Sequence, residues 1–416
     1  MSCPPTIGPA PGQRLGTRLF ESSNEMLLET TRGLAGYWAS ALRRGATPWS
    51  LMEDAVAFWG HATRRDTPQW HSPHEIVLDT PIARLRDFSA GSTDPVVPTL
   101  VLPPQAGHDS CIVDYSPEQS QMKVIRAAGL TRAYSADWKG ATRETAGTTV
   151  DAYLDFIEAC IGRIGGPVNL IGDCQGGWLA TIYAALHPED VHTLTIAGAP
   201  IDFQAGDAVI HDYVRWFDQA PDMGFYRWVV QRGGGVLRGD HMLNGFILIK
   251  PENELAKHMQ LLSNLHDARH LERHRHFETW FKHTQDISGA FYLWIVEHLF
   301  ARNSLVRGEL EIGGRIVDLE QIACPINLLA GAGDHITPPE QVFALANHVS
   351  TSPADITART TQGGHLGLFM GGEALRGHWP PILAAIAERS STLSPARAER
   401  RARAETPRVR RPIPAP

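Results

Sequence analysis

The sequence predicts an α/β protein: a mostly parallel sheet flanked by helices, preceded by a helical region and interrupted by a helical insertion. Three observations lead there. From about residue 76 to residue 200, short apolar runs alternate with segments of helical period. The alternation stops over residues 201–317 and resumes over 318–388. Within the first stretch, "NLIGDCQGGWLA" (Asn169–Ala180) passes from a strand-like run through a Gly-rich turn into a helix-like run. Strands that alternate with helices form parallel sheets, because each crossover helix must cover one face.

Taken in order, residues 1 to about 16 are rich in Pro and Gly and are expected to be loose. Leu19–Leu42 has helical period through Leu27, Leu28, Thr31, Leu34 and Trp38. "GATP" ends it, and Pro48 can open a second helix through Leu51, Ala55, Phe58 and Trp59. This N-terminal region, 1–75, is expected to pack its apolar stripe within the chain. "VVPTLVLPP" reads as a strand, "PEQSQMKVIRAAG" as a helix closed by Gly129, and "TRAYSA" as the next strand. Tyr153, Leu154, Ile157, Ile161 and Ile164 form a helical stripe; "PVNLIG" is a strand, a helix follows to about Leu186, and "HTLTIAGAP" is another strand. The insertion 201–317 is aromatic and holds nine of the nineteen His, and such an insertion is expected to form a lid over the carboxyl edge of the sheet. "INLLAGAG" and "ITARTT" restore the alternation. Residues 389–416 carry eight Arg and two Glu, a local charge of +6, so the body carries −7 − 6 = −13. A basic, Pro-rich tail on an acidic body is expected to be disordered.

Composition excludes several classes. A net charge of −7 gives no footprint for nucleic acid, and no run approaches the length of a membrane-spanning helix. Five scattered cysteines, Cys3, Cys111, Cys160, Cys174 and Cys324, include no C-x-x-C, so neither a disulfide framework nor a Cys-based zinc site is predicted. The first residues lack a basic segment followed by an apolar one, and the expected location is the cytoplasm. His266, His270 and His274 share one helical face, but no carboxylate or Cys completes a ligand set; the expectation is a solvated lid helix and no metal.

Gly172-Asp173-Cys174-Gln175-Gly176 fits the strand–turn–helix nucleophile elbow of the α/β-hydrolase fold, with Cys where Ser is usual. Glycines are needed because bulky neighbours collide in so tight a turn. The competing reading is a buried structural Cys in a βα turn. The helix that starts after Cys174 points its positive end at the sulfur and favours the ionised form of a thiol placed there. The backbone N–H of Gln175 is one expected oxyanion donor, and the loop after "TLVLPP", Gln105 and Ala106, is expected to supply another. Asp173 is expected to point outward, since a carboxylate close by would oppose the thiolate. The fold orders its triad nucleophile, acid, base. Asp334 follows one late strand and His365 the next, which makes them the candidate acid and base, with Asp202 the rival acid.

Several segments resemble the polyhydroxyalkanoate synthase family. Gly172–Gly177 is similar to that family's G-x-C-x-G-G elbow, "DYSPEQSQMKVIRAAGL" to its D-x-R-P-E-N-S segment, and "YSADW" to a segment ending in S-W. The run from "HLFARNSL" to "GDHITP" resembles its approach to D-H-I-x-P. The resemblance covers about Val96 to His365 and implies Cys174 as nucleophile, Asp334 as acid and His365 as base. "QAGH" (Gln105–His108) departs from the family's W-x-N, and "CQGGW" and "GGHLGLF" look closer to a poorly characterised bacterial group related to the synthases. The Cys-Gln pair also occurs in the elbow of intracellular polyhydroxyalkanoate depolymerases.

A thiol at the elbow has a chemical rationale. Cys attacking an acyl-CoA exchanges one thioester for another at nearly equal energy, so the acyl group stays activated for transfer to a hydroxyl. The function expected is therefore acyl transfer from 3-hydroxyacyl-CoA thioesters, with coenzyme A thioester as substrate and no further cofactor. Two alternatives stand beside it: a hydrolase of the same acyl class, either depolymerase or thioesterase, and a non-catalytic protein of polymer granules. A polymer granule surface and a second copy of the chain, in a homodimer, are the partners left open.

Overall fold

A computed structural model describes residues 11–211 and 223–391. The expected loose residues 1–10 and the tail beyond Ser391 lie outside the described residues. The sheet has eight strands: β1 (Glu75–Asp79), β2 (Ala83–Asp87), β3 (Thr99–Leu102), β4 (Ala133–Trp138), β5 (Val168–Asp173), β6 (Val191–Ala197), β7 (Ile326–Gly331) and β8 (Ile356–Thr361). Their spatial order is β1-β2-β4-β3-β5-β6-β7-β8, and only β2 runs against the others. Every residue of β3, β4, β5 and β7 is buried, which is why none of these strands shows the apolar–polar alternation of a half-exposed strand. Edge strand β8, with Arg359 and several Thr, is mostly open to solvent; charge on an edge discourages pairing with other chains.

Helix α4 (Val150–Ile164) buries the predicted stripe and stops at Gly165, whose φ of 90° suits glycine. Helix α3 starts later than the sequence suggests, at Gln121, because the Ser120 hydroxyl accepts from Lys123 N and caps it there; it ends at Ala127. Helix α5 (Gln175–Leu186) leaves the elbow. The last helix, Trp379–Ser391, buries Trp379, Ile382, Leu383 and Ile386 in the sheet-side core. It takes in Arg389, Ser390 and Ser391, the first residues of the predicted tail. The side-chain amide of Asn169 on β5 donates to Ser390 Oγ at 2.9 Å, which anchors that end.

Among the described residues, the insertion between β6 and β7 carries helices over the carboxyl ends of the strands, α6 (Gly224–Arg232), α7 (Gly239–Ile249), α8 (Pro251–Ser263) and α9 (Ala268–Phe281), followed by a further helical stretch over Gly289–Trp294 and Ile295–Ala301. The N-terminal pair, α1 (Pro11–Arg43) and α2 (Pro48–Thr63), packs on this lid and not on the sheet. The contact corrects two expectations. Helix α1 starts at Pro11, so residues 11–16 are helical. It also meets α8 along its glycines: a Cβ added to Gly33 would lie 2.5 Å from Met259 Cβ, and Ser263 Oγ donates to Gly33 O at 3.0 Å. The apolar stripe faces outward instead, with Leu27, Leu34, Trp38 and Leu42 exposed on α1 and Trp49, Met52, Val56 and Trp59 on α2. Buried Asp54 ties the assembly together, accepting from Tyr37, Arg44 and His266.

Candidate active site

The elbow forms where β5 meets α5. Cys174 holds φ 51° and ψ −120°, a strained conformation for a residue with a side chain. The turn leaves no room beside it: a Cβ on Gly176 would lie 1.9 Å from Leu102 O, and one on Gly177 would lie 2.3 Å from Ala199 Cβ. The sulfur-bearing side chain is half-buried and lines a cavity of about 750 Å³ beneath the lid.

His365, in the loop after β8, lines the same cavity. Its Nδ1 donates to Asp334 Oδ2 at 2.7 Å, and both side chains are buried. Asp334 Oδ1 accepts from the backbone N–H groups of Ile336 and Thr337, each at 2.9 Å, so the carboxylate is fixed from both sides. Burial alone would lower the imidazole pKa. The Asp334 charge, followed by the charge and hydrogen bonding of the neighbouring Cys174 sulfur, overcomes this and raises it well above the ordinary histidine value. The structure thus brings Cys174, His365 and Asp334 together. Asp202 sits elsewhere: its Oδ1 accepts from Asn303 Nδ2 at 2.8 Å and from Gln204 N at 2.9 Å.

Of the expected oxyanion residues, Ala106 lines the cavity with Cys174. The Gln105 side chain turns away, with Nε2 donating to Tyr153 OH at 3.0 Å, and faces the Gln175 side chain across a separate small void. Gln175 is the first residue of α5, so its backbone N–H is at the free N-terminal end of the helix.

Two expectations about polar side chains fail here. Asp173 does not point outward: it is completely buried, with Oδ1 accepting from Gln121 Nε2 at 3.3 Å. The outward placement was inferred from charge alone, and the partner that receives the carboxyl lies 52 residues earlier on α3. The predicted solvated histidine face on α9 is likewise divided among three roles. His266 pairs with Asp54 at 2.8 Å, His270 is at the cavity wall, and His274 is buried within it. Among the described residues no group of His, Cys, Asp and Glu is arranged to hold a metal.

The lid wall is aromatic and contains features that sequence reasoning missed. His108 stacks against both Trp280 and Phe281, with ring centroids 4.9 and 5.6 Å away. Burial pushes the pKa of His108 down to about 4, and that of His274 also down to about 4, so both rings are neutral near pH 7. Lys257 Nζ lies 2.5 Å from Glu278 and 2.6 Å from Glu254, which neutralises it in the wall. The spacing His274-x-x-x-Glu278 on one helix face, beside the Phe277–Phe281 pair, was the available signal for an inward-facing surface.

Strand order, elbow and buried His–Asp pair define a protein of the α/β-hydrolase fold. The chain belongs to the family described as Protein of unknown function (DUF3141), which matches residues 80–396. It is also similar to poly(3-hydroxyalkanoate) polymerase subunits PhaC. That of Haloferax mediterranei is 28% identical over 329 residues, covering 77% of this chain and 65% of that protein. That of Haloarcula marismortui is 28% identical over 67% of this chain and 58% of its own length. That of Allochromatium vinosum is 27% identical over 65% of this chain and 75% of its own length. The chain thus spans less than two thirds of the first two relatives. Among solved structures, a carboxylesterase of Nitrososphaera gargenis aligns with TM-score 0.47 and 16% identity over 76% of this chain and 99% of that one. A monoacylglycerol lipase of Paleococcus ferrophilus aligns with TM-score 0.43 and 15% identity over 71% and 97%. No described helix is long and apolar enough to cross a membrane.

Proposed function

We propose that this protein is a cysteine-dependent acyltransferase acting on 3-hydroxyacyl-CoA thioesters, with Cys174 as nucleophile, His365 as proton carrier and Asp334 as its orienter. The observation that carries the reading is a thiol on a strained elbow that shares one cavity with a buried, charge-stabilised histidine. Similarity to the polymerase subunits supports acyl transfer as the class of reaction.

In this reading Cys174 Sγ attacks the thioester carbonyl, and the backbone N–H of Gln175, with that of Gln105 or Ala106, receives the developing oxyanion. His365 arrives already protonated, because its pKa is raised, and gives the Nε2 proton to the departing CoA sulfur. The acyl group is then a thioester of Cys174. A hydroxyl enters, gives its proton to His365 and takes the acyl group as an oxygen ester, regenerating the thiolate–imidazolium pair. No cofactor is needed beyond the CoA thioester itself. The neutral His108 and His274 and the aromatic wall suit an uncharged hydroxyacyl group. The outward apolar stripe of α1 and α2 offers a surface for an uncharged polymer granule or for a second copy in a homodimer.

Incubation with 3-hydroxybutyryl-CoA tests the proposal. CoA release accompanied by polymer, or by an acyl ester on an added alcohol, supports it. CoA release with free acid alone assigns the chain to hydrolysis, and no release, with no acyl adduct on Cys174 by mass spectrometry, overturns catalysis at this site.

A further inference from the structure

The carboxyl of Asp173 is the one acidic group of the elbow, and the triad chemistry leaves it unused. It is completely buried, and so is its neighbour Gln121. One contact joins them, from Gln121 Nε2 to Asp173 Oδ1 at 3.3 Å. The other two polar atoms of the pair, Asp173 Oδ2 and Gln121 Oε1, are both acceptors and both without a partner. Two orphaned acceptors on joined, fully buried groups are costly, and native interiors rarely tolerate them. A single proton removes both: placed on Oδ2, it lets Asp173 donate to Gln121 Oε1 while Gln121 Nε2 donates to Oδ1, closing a two-bond ring.

We propose that Asp173 is held as a neutral carboxylic acid in a two-bond ring with the Gln121 amide, and that this uncharged acid is a positioning residue for the nucleophile that follows it. The inference rests on the reading of Cys174 as nucleophile. Helix α3 faces Asp173 with Gln121, which bears no charge. The loop after β8 faces it with His365, whose far nitrogen is bonded to Asp334, and the elbow itself contributes Cys174. Burial pushes the carboxyl up to about 8, against the opposing pull of the Gln121 bond and the His365 charge. Kept neutral, Asp173 fixes the start of the elbow through α3 without setting a second negative charge beside the sulfur. Ionised, it would compete with the sulfur for the His365 imidazolium.

Infrared difference spectroscopy of the whole protein reads the proton directly. Wild type at pH 7 is expected to show a protonated-carboxyl C=O band that disappears in Asp173→Asn and titrates away on the alkaline side of neutrality. Asp173→Ala is expected to slow iodoacetamide labelling of Cys174 at pH 7 by tenfold or more. Asp173→Asn, whose NH2 mimics the acid's donor, is expected to restore most of that rate and to remove the alkaline transition from its pH profile. Absence of the band in wild type, or a Asp173→Asn variant as slow as Asp173→Ala, overturns the proposal. Because the band is read without substrate, a protein that releases no CoA can still pass or fail this test.

Discussion

Replacing Asp334 by Asn separates the proposed triad from a merely buried ion pair. The Asp334 carboxylate lies 2.7 Å from His365 Nδ1, and its charge is the main influence that holds the imidazole pKa well above the ordinary histidine value, so an Asn there lets that pKa fall. Geometry adds a second effect. Asp334 Oδ1 accepts from Ile336 N and Thr337 N, so an Asn must keep its only oxygen there. Its NH2 group then faces His365 Nδ1 and must donate to it, which moves the remaining ring proton to Nε2, on the side of the sulfur. The variant thus loses the charge and acquires the wrong tautomer. We expect CoA release at pH 7 to fall by about three to four orders of magnitude, the usual cost of a wrong tautomer in a triad, and the pH profile of Cys174 alkylation to move upward. The stability readout has a definite sign. A histidine whose folded pKa is raised contributes stability that is full below about pH 6.5, the unfolded value, and fades as pH rises through the folded value. Asp334→Asn should therefore cost more in thermal unfolding at pH 6 than on the far alkaline side. A variant within tenfold of wild type in CoA release would refute the reasoning, and decisively so if Asp202→Asn proved inactive.

Four further outcomes are expected. Cys174→Ala abolishes CoA release with an unchanged unfolding transition, and iodoacetamide labels Cys174 before Cys111 and Cys160, whose thiols burial pushes up in pKa; peptide mapping reads the order. Gly176→Ala yields little soluble protein, because its Cβ has no position clear of Leu102 O; recovery of wild-type amounts would show that the elbow relaxes. Trp379→Ala costs about 3–5 kcal/mol in denaturant unfolding, from the lost ring and from a Leu368 carbonyl that loses its indole donor. Asp54→Ala loosens α2 from α1 and from His266, and limited proteolysis should cut between residues 43 and 75 faster than in wild type.

The sheet and the site were legible to different depths for physical reasons. Strands β5 to β7 are almost wholly buried, so their sequences are predominantly apolar and the turns between them stand out. The elbow was readable because so tight a strand–turn–helix demands glycine at fixed spacing, with no room for a Cβ on Gly172, Gly176 or Gly177, and Asp334 and His365 because strand ends are marked by Gly-rich turns. Asp173 was misjudged because what buries it, Gln121, is distant in sequence and carries no signal of its own. The outward stripe on α1 was misjudged for a related reason. Its spacing shows that one face is apolar, but the docking face was set by the small residues Gly33 and Gly36, which let α8 approach closely. His274 shows the same limit, since helical period identifies a face but not its neighbour.

The charges around the sulfur follow from these placements. Asp334 and His365 balance one another, His108 and His274 are neutral near pH 7, and Lys257 and Lys282 are matched by Glu254 and Glu278. If Asp173 were ionised, the elbow would carry a negative charge one residue from Cys174. With Asp173 neutral, a negative charge arriving on the sulfur or on a carbonyl oxygen beside it meets the imidazolium and the N-terminal amides of α5 without a carboxylate at the neighbouring residue. Replacing Gln121 by Leu tests this balance without touching the elbow. It removes the amide that completes the proposed ring and leaves the Asp173 proton without an acceptor, at a cost of about 1–3 kcal/mol. If Asp173 is instead ionised, the same change removes its single hydrogen-bond donor. The carboxylate is then destabilised, and the protein should gain stability on acidification as the group takes up a proton. A Gln121→Leu variant whose stability deficit vanishes at low pH would therefore favour the ionised form, and one whose deficit is the same from pH 5 to 7 the neutral acid.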